Sequence, residues 1–172
     1  MTASRSALRW WRGEIEPGLS VMCTCTPGIQ VGPENWHIIG QQLRSVLATG
    51  QATFSDDQLL PAMRTGYLEE AYFTYSYSAI RDESGTVAGV FTAVTETTQP
   101  VLTHRRLRTL RTLGEKTALA ATQGTATVDD VCAAALQALA EDRADIPFAA
   151  IYRLDPGDPV AHLISSMGMS DP

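Results

Sequence analysis

Alternation of apolar and polar residues is clearest between residues 67 and 98. Two apolar-rich runs over 71–80 and 86–95 flank the polar turn RDESG, and both runs alternate with the period of a strand. Gly85 can adopt positive φ at little cost, so the turn can close a hairpin. The pattern predicts an antiparallel pair of strands. Its aromatic residues, which the pattern groups as one face, are Phe73, Tyr75, Tyr77 and Phe91.

A helix is predicted upstream of this hairpin, because apolar residues recur there at steps of three and four. Gly50 is expected to end this helix. The run 51–60 predicts a strand, with an exposed bend or bulge at Asp56 and Asp57, and 61–66 has turn chemistry. The order of one helix and three strands predicts an antiparallel meander with one face free for a core. The helix stripe consists of Trp36, Ile39, Leu43, Val46 and Leu47.

A second helix is predicted after the hairpin, with Pro100 in its first turn, where the missing N–H has no intrahelical partner anyway. Its leucines fall within one broad arc and its arginines mainly outside it, which indicates a short amphipathic helix that can pair with a copy of itself. Thr127 and Asp130 then predict a capping box and a third helix. A second hairpin over 148–154 and 160–165 follows around the turn DPGDP.

Composition narrows the functional classes. The chain has 172 residues and a net charge of −6, which disfavours a general nucleic-acid binder. It contains neither a long apolar run nor a secretory leader pattern, so a soluble cytoplasmic protein without membrane contact is expected. Residues 1–33 are interrupted by proline and glycine and predict a poorly ordered or atypical segment, although Trp10 and Trp11 leave a membrane-surface or partner contact open. Cys23 and Cys25 lack a second ligand pair at zinc spacing.

The residues of the first hairpin resemble the C-terminal half of a PAS domain with its PAC motif. The matching features are the strand YSYSAI, the turn RDESG, the strand TVAGVFTAV and the exit ETT, where the family has Asp-x-Thr. Residues 127–169 resemble the first helix and first two strands of a GAF domain. The order is similar to the sensory half of bacterial hybrid histidine kinases of two-component systems and of PP2C-type regulatory phosphatases.

This resemblance implies an α+β chain in four parts. They are an atypical segment over 1–33, a partial PAS-like domain with an antiparallel sheet over 34–98, a connector helix over 99–123 and a truncated GAF-like segment over 124–172. The last part is expected to be the opening of a larger domain. The chain then resembles an excerpt of a sensor that relays a ligand or partner signal to an absent kinase or phosphatase. Alternatives are a truncated, non-functional product and a dimerisation module that pairs with intact relatives.

The resemblance places the signal relay at the exit from the sheet, at Glu96, Thr98 and Pro100. A carboxylate at Glu96 can hold the start of the following helix through N–H groups or a basic partner. The helix after Pro100 is then the expected homodimer contact. The aromatic face is either packed beneath a helix, which we favour, or a cavity for an unidentified small molecule.

No catalytic constellation is readable, so an enzyme is not expected, and neither haem, flavin nor a metal is predicted. His104 lies in the segment THRRLRTL, which echoes a kinase phosphoacceptor box, but a solvated surface histidine is the favoured interpretation. His37 and His162 are expected to be structural or exposed, and Cys132 a packed structural thiol. The adjacent carboxylates Glu69–Glu70 and Asp56–Asp57 are interpreted as solvated surface because neighbours on a strand point to opposite faces.

Overall fold

The computed structural model describes residues 20–24, for which only the strand backbone is considered, and residues 35–169. The chain forms two compact units, Met1–Val101 and Leu102–Pro172. Unit 1 contains β1 (Ser20–Thr24), α1 (Trp36–Thr49), β2 (Thr53–Leu59), β3 (Ala62–Arg64), β4 (Tyr67–Glu69), β5 (Tyr72–Arg81) and β6 (Val87–Glu96). The helix α2 (Thr98–Ala121) begins in unit 1, and unit 2 also contains α3 (Val128–Leu139), β7 (Ala149–Leu154) and β8 (Ala161–Met167).

Unit 1 is built on a four-stranded sheet with the order β1-β6-β5-β2. Strands β2, β5 and β6 are antiparallel, which confirms the predicted meander and the α+β class. The fourth strand, β1, pairs with β6 in parallel. No strand was predicted in 1–33, because five residues between proline and glycine breaks are too few to show a period. The remainder of that segment lies outside the described residues.

The predicted bulge in β2 is confirmed. Ser55 pairs with Tyr75, but the next paired residue is Gln58, opposite Phe73, and Asp57 between them has φ of 43°. The hydroxyl of Thr74 on β5 holds the bulge, since it donates to Asp56 Oδ1 (2.8 Å) and accepts from the Asp57 N–H (3.0 Å). The adjacent carboxylates of Asp56 and Asp57 are exposed, as expected.

The core of unit 1 lies between α1 and the sheet. The helix begins and ends as predicted, and Gly50 adopts φ of 67° just past its last residue. Full burial of each large apolar side chain here contributes about 1.5–3 kcal/mol relative to exposure. The buried core consists of Ile39, Leu43, Val46, Leu60, Ala62, Ala71, Phe73, Tyr75, Tyr77 and Val90.

The link over 61–66, predicted as a turn, is longer and more ordered than expected. It forms a small hairpin in which β3 and β4 are joined by Thr65 (φ 49°) and Gly66 (φ 89°). Met63 pairs with Leu68 across this hairpin, and Arg64 pairs with Tyr67. Three-residue strands are too short for an alternation to be recognised in the sequence.

Unit 2 contains the predicted third helix and second hairpin. Thr127 and Asp130 form the capping box at the start of α3, and β7 pairs with β8 in antiparallel register. Within the part of the chain that the structure describes, the buried apolar residues of this unit are Leu136 and Ala138. Among the described residues, no helix is long and apolar enough to cross a membrane.

Candidate functional site

The predicted relay residues lie where the sheet passes into α2. Glu96 is the last residue of β6, Thr98 is the first residue of α2, and Pro100 is exposed in the first helical turn. Thr98 is 94% buried; its hydroxyl donates to Glu96 Oε1 at 2.8 Å and accepts from the backbone N–H of Tyr72 at 3.0 Å. The structure therefore brings the first two residues into one hydrogen-bonded chain and leaves Pro100 outside it.

A second strand joins this junction through Tyr72, the first residue of β5. Its N–H donates to Thr98 Oγ1, and its carbonyl accepts from the N–H of Thr97 at 2.8 Å. The Thr97 carbonyl in turn accepts from the N–H of Val101, which is the first helical bond of α2. The start of the helix is thus held by the backbone of β5 and not only by the strand that precedes it in sequence.

Arg64 supplies the basic partner anticipated for Glu96. Its Nη2 lies 2.9 Å from Glu96 Oε1, and the two side chains are 35% and 30% exposed. An ion pair at this exposure stabilises by about 0–1 kcal/mol, whereas each hydrogen bond of a buried hydroxyl contributes about 0.5–1.5 kcal/mol. The buried Thr98 is therefore the stronger element of the junction, and the ion pair adds the connection to the β3–β4 hairpin, which sequence reasoning did not find.

The aromatic face is packed beneath α1, which confirms the favoured alternative for three of its four residues. Phe73, Tyr75 and Tyr77 are buried against the helix. Phe91 was grouped with them incorrectly: it pairs with Ser78, while Tyr77 pairs with Thr92, so Phe91 points to the opposite face of the sheet. The error lies in the register of β6, which the turn residues alone did not fix.

Polar atoms are buried within the core between α1 and the sheet. The Tyr75 hydroxyl, Gln42 Oε1 and Thr53 Oγ1 are each without a hydrogen-bond partner. Desolvation by burial, together with the neighbouring Tyr75, raises the pKa of the Tyr77 hydroxyl far above its usual value, so that it stays protonated. A buried polar atom without a hydrogen-bond partner lowers the stability of the fold. A bound water or polar ligand that supplies the missing hydrogen bond is therefore most favourable at such an atom.

Unit 2 contains a second cluster, in which α2 is tied to the segment after α3. Arg105 Nη2 donates to Asp145 Oδ1 at 2.6 Å, Arg106 Nε to Asp145 Oδ2 at 3.2 Å, and the Thr109 hydroxyl to Asp142 Oδ2 at 2.8 Å. Hydrogen bonding from Arg105, followed by the charges of both arginines, lowers the pKa of Asp145. Lys116 also pairs with Glu141. The sequence placed the arginines away from the packed face, and no local pattern indicated these distant partners.

The leucines of α2 do not all share one environment. Leu102 and Leu113 are half-buried, whereas Leu107 and Leu110 are 60% and 62% exposed. Residues two apart on a helix point to nearly opposite sides, so Leu107 faces away from Thr109 and its carboxylate partner. The described part of α2 thus has one polar, paired side and one exposed side with adjacent leucines.

The remaining candidates are dispersed. His104 is exposed on α2, His37 is exposed on α1, and His162 Nε2 lies 2.9 Å from Asp158 Oδ2. Cys132 is a half-buried free thiol. Cys25 lies outside the described residues, and Cys23 is described only as strand backbone. In the described ranges, no three histidine, cysteine or acidic side chains gather as a metal-binding group.

No protein-family model matches the chain, and a search of curated proteins finds no match.

Proposed function

We propose that this chain is a non-catalytic sensory and dimerisation module of PAS–GAF type. In this proposal unit 1 receives a ligand or partner signal and transmits it through α2 to a kinase or phosphatase output outside the chain. The observation that carries the proposal is the junction at Thr98, where one buried hydroxyl is bonded to both Glu96 of β6 and Tyr72 of β5. A displacement of either strand changes a contact of the first helical residue.

Energetics support a switch of modest size. The junction contains one partly exposed ion pair and a few hydrogen bonds, which together stabilise one arrangement by a few kcal/mol at most. A ligand can shift a two-state equilibrium only by its differential affinity, typically about 1–3 kcal/mol. The junction is thus weak enough to be released by binding and strong enough to favour one arrangement without it.

Dimerisation through α2 is the second part of the proposal. Leu107 and Leu110 are adjacent on the exposed side of the helix and can pack against the same residues of a second copy. Repulsion between basic residues is reduced in such a pair, because Arg106 is neutralised by Asp145 and Arg111 by Glu115 within each chain. The alternative, a module that acts only by pairing with intact relatives, draws on the same exposed leucines.

The relay is tested by hydrogen exchange of the chain with Glu96→Ala. Loss of the carboxylate removes one bond to Thr98, so we expect at least about 5-fold faster exchange of the amides over 101–105, since about 1 kcal/mol of local stability is lost. Exchange in the centre of β5 and β6 should stay unchanged. Equal exchange over 101–105 in both proteins would refute the relay role of Glu96.

The dimer is tested by size-exclusion chromatography with light scattering. Leu107→Glu with Leu110→Glu is expected to convert a dimer into a monomer. Leu119→Glu is the matched control, because Leu119 is similarly exposed on α2 but lies about a third of a turn from Leu107 and about half a turn from Leu110 around the helix. A monomeric wild-type chain at micromolar concentration, or a dimer that survives the double substitution, would contradict dimerisation through this side of α2.

A further inference from the structure

The β3–β4 hairpin presents apolar side chains to solvent. Met63, Tyr67 and Leu68 are 62%, 76% and 57% exposed. Met63 and Leu68 pair across the strands and therefore share one face of the hairpin. The opposite face carries Tyr67, which pairs with Arg64, and it is anchored because Ala62 is buried in the core and Arg64 contacts Glu96. Exposed apolar groups on an anchored hairpin are typical of an interaction surface rather than of a loose loop.

The charges around these residues limit the partner. Glu69 and Glu70 follow the exposed residues directly, and both are exposed. Within 35–101 the chain has three arginines and seven acidic residues, and the hairpin's own Arg64 is already paired with Glu96. Nucleic acids and anionic membrane surfaces would be repelled by this surface. A polypeptide with apolar and basic side chains is complementary to it.

We infer that the face of the hairpin formed by Met63 and Leu68, with the acidic charge of Glu69 and Glu70 that follow Leu68 in the chain, is a docking surface for a basic, apolar polypeptide segment whose binding is transmitted to α2 through Arg64. This inference rests on the proposed function and names the input to the same junction. A bound segment displaces or fixes the hairpin, Arg64 moves with it, and the Glu96 carboxylate gains or loses its basic partner. The change reaches Thr98 because the same oxygen, Glu96 Oε1, accepts from both residues.

Binding is tested on the full chain with a synthetic 14-residue peptide as the probe. In this peptide, pairs of leucines alternate with pairs of lysines. A peptide of the same length with glutamate in place of lysine is the charge control. We expect the lysine peptide to bind, and Met63→Ser with Leu68→Ser to weaken it at least about 10-fold, as expected for the loss of two apolar contacts. Tyr152→Ser with Leu163→Ser is the matched control, because those exposed apolar residues lie on β7 and β8 of unit 2.

The double substitution Glu69→Gln with Glu70→Gln should lower the affinity for the lysine peptide. It should also make that affinity less dependent on salt concentration. No binding to the wild-type chain, equal binding to the hairpin variant, or equal binding of the glutamate peptide would overturn the docking surface. These outcomes leave the Glu96→Ala exchange experiment unaffected, so the failure of the inference is distinguishable from failure of the proposed function.

Transmission is tested separately with Arg64→Met. Its peptide affinity should stay within about 2-fold of wild type, because the substitution lies on the opposite face of the hairpin from Met63 and Leu68. Peptide should alter hydrogen exchange over 101–105 at least about 3-fold in the wild-type chain and not in Arg64→Met. Binding without any change in exchange in the wild type would overturn the transmission step.

Discussion

Thr97 and Thr98 are neighbours in sequence with opposite hydrogen-bonding states. The Thr98 hydroxyl contacts Glu96 and the Tyr72 N–H, whereas the buried Thr97 hydroxyl has no hydrogen-bond partner. The chain thus passes from β6 into α2 through two threonines. The hydroxyl of Thr98 stabilises the junction, whereas the hydroxyl of Thr97 is buried without a partner, which costs stability.

This pair gives a matched substitution experiment. Thr98→Val should destabilise unit 1 by about 1–3 kcal/mol, because it removes the hydroxyl and leaves the Tyr72 N–H without that acceptor. Thr97→Val should be neutral or slightly stabilising, since it replaces a buried hydroxyl that has no partner. Urea denaturation of both variants measures the difference, and an equal loss in the two would be inconsistent with the junction described above.

The Tyr75 hydroxyl can be tested in the same way. Tyr75→Phe should leave stability unchanged or raise it by up to about 1 kcal/mol, because the variant buries no unpaired hydroxyl. Tyr72→Phe is a control in which the hydroxyl is bonded to Glu70 Oε1 at 2.6 Å. Thermal denaturation is the measurement. A clear loss of stability in Tyr75→Phe would mean that a bound water or small polar molecule partners this hydroxyl, in support of the less favoured alternative of a ligand cavity at the aromatic face.

Asp145 should make unit 2 sensitive to acid. Its pKa is lowered in the folded chain by Arg105, so its contribution is complete above the usual aspartate pKa of about 4 and is lost as the pH falls through the lowered value. Asp145→Asn should therefore lower stability at pH 7, and its difference from wild type should shrink as the pH falls below about 4. Melting curves of both proteins across this range measure the effect.

The exposed pair Arg111–Glu115 is the control for that experiment. Glu115→Gln removes an ion pair on the same helix that is largely exposed to solvent and therefore contributes little to stability. A difference between Asp145→Asn and wild type that is independent of pH would show that the carboxylate charge is not what ties α2 to this segment.

The cap of α3 gives a local prediction. The Thr127 hydroxyl accepts from the Asp130 N–H, and the Asp130 carboxylate accepts from the Thr127 N–H. Thr127→Ala should destabilise unit 2 by about 0.5–2 kcal/mol. Thr125→Ala, an exposed site two residues earlier in the same link, should change stability by less than about 0.5 kcal/mol. Circular dichroism melts of the two variants test this, and equal effects would argue against the cap.

The sequence predicted those parts of the fold that depend on local patterns. Three features follow from residue types within a few positions of one another. They are the apolar stripe of α1 that ends at Gly50, the bulge at Asp57 and the helix cap at Thr127. The β3–β4 hairpin, the pairing of β1 and the position of Phe91 depend on short strands or on register. The Arg105–Asp145 contact joins distant segments. Such contacts follow from tertiary packing, for which a single sequence carries no local signal.

The bulge in β2 has a further consequence for assembly. β2 is an edge of the four-stranded sheet, and an uninterrupted edge offers its free N–H and C=O groups to any strand that arrives. At Asp56 and Asp57 the regular spacing of those groups is broken, and two carboxylates stand at the break. An incoming strand finds neither a continuous ladder nor a neutral surface. Open-ended polymerisation is therefore opposed along this edge of unit 1.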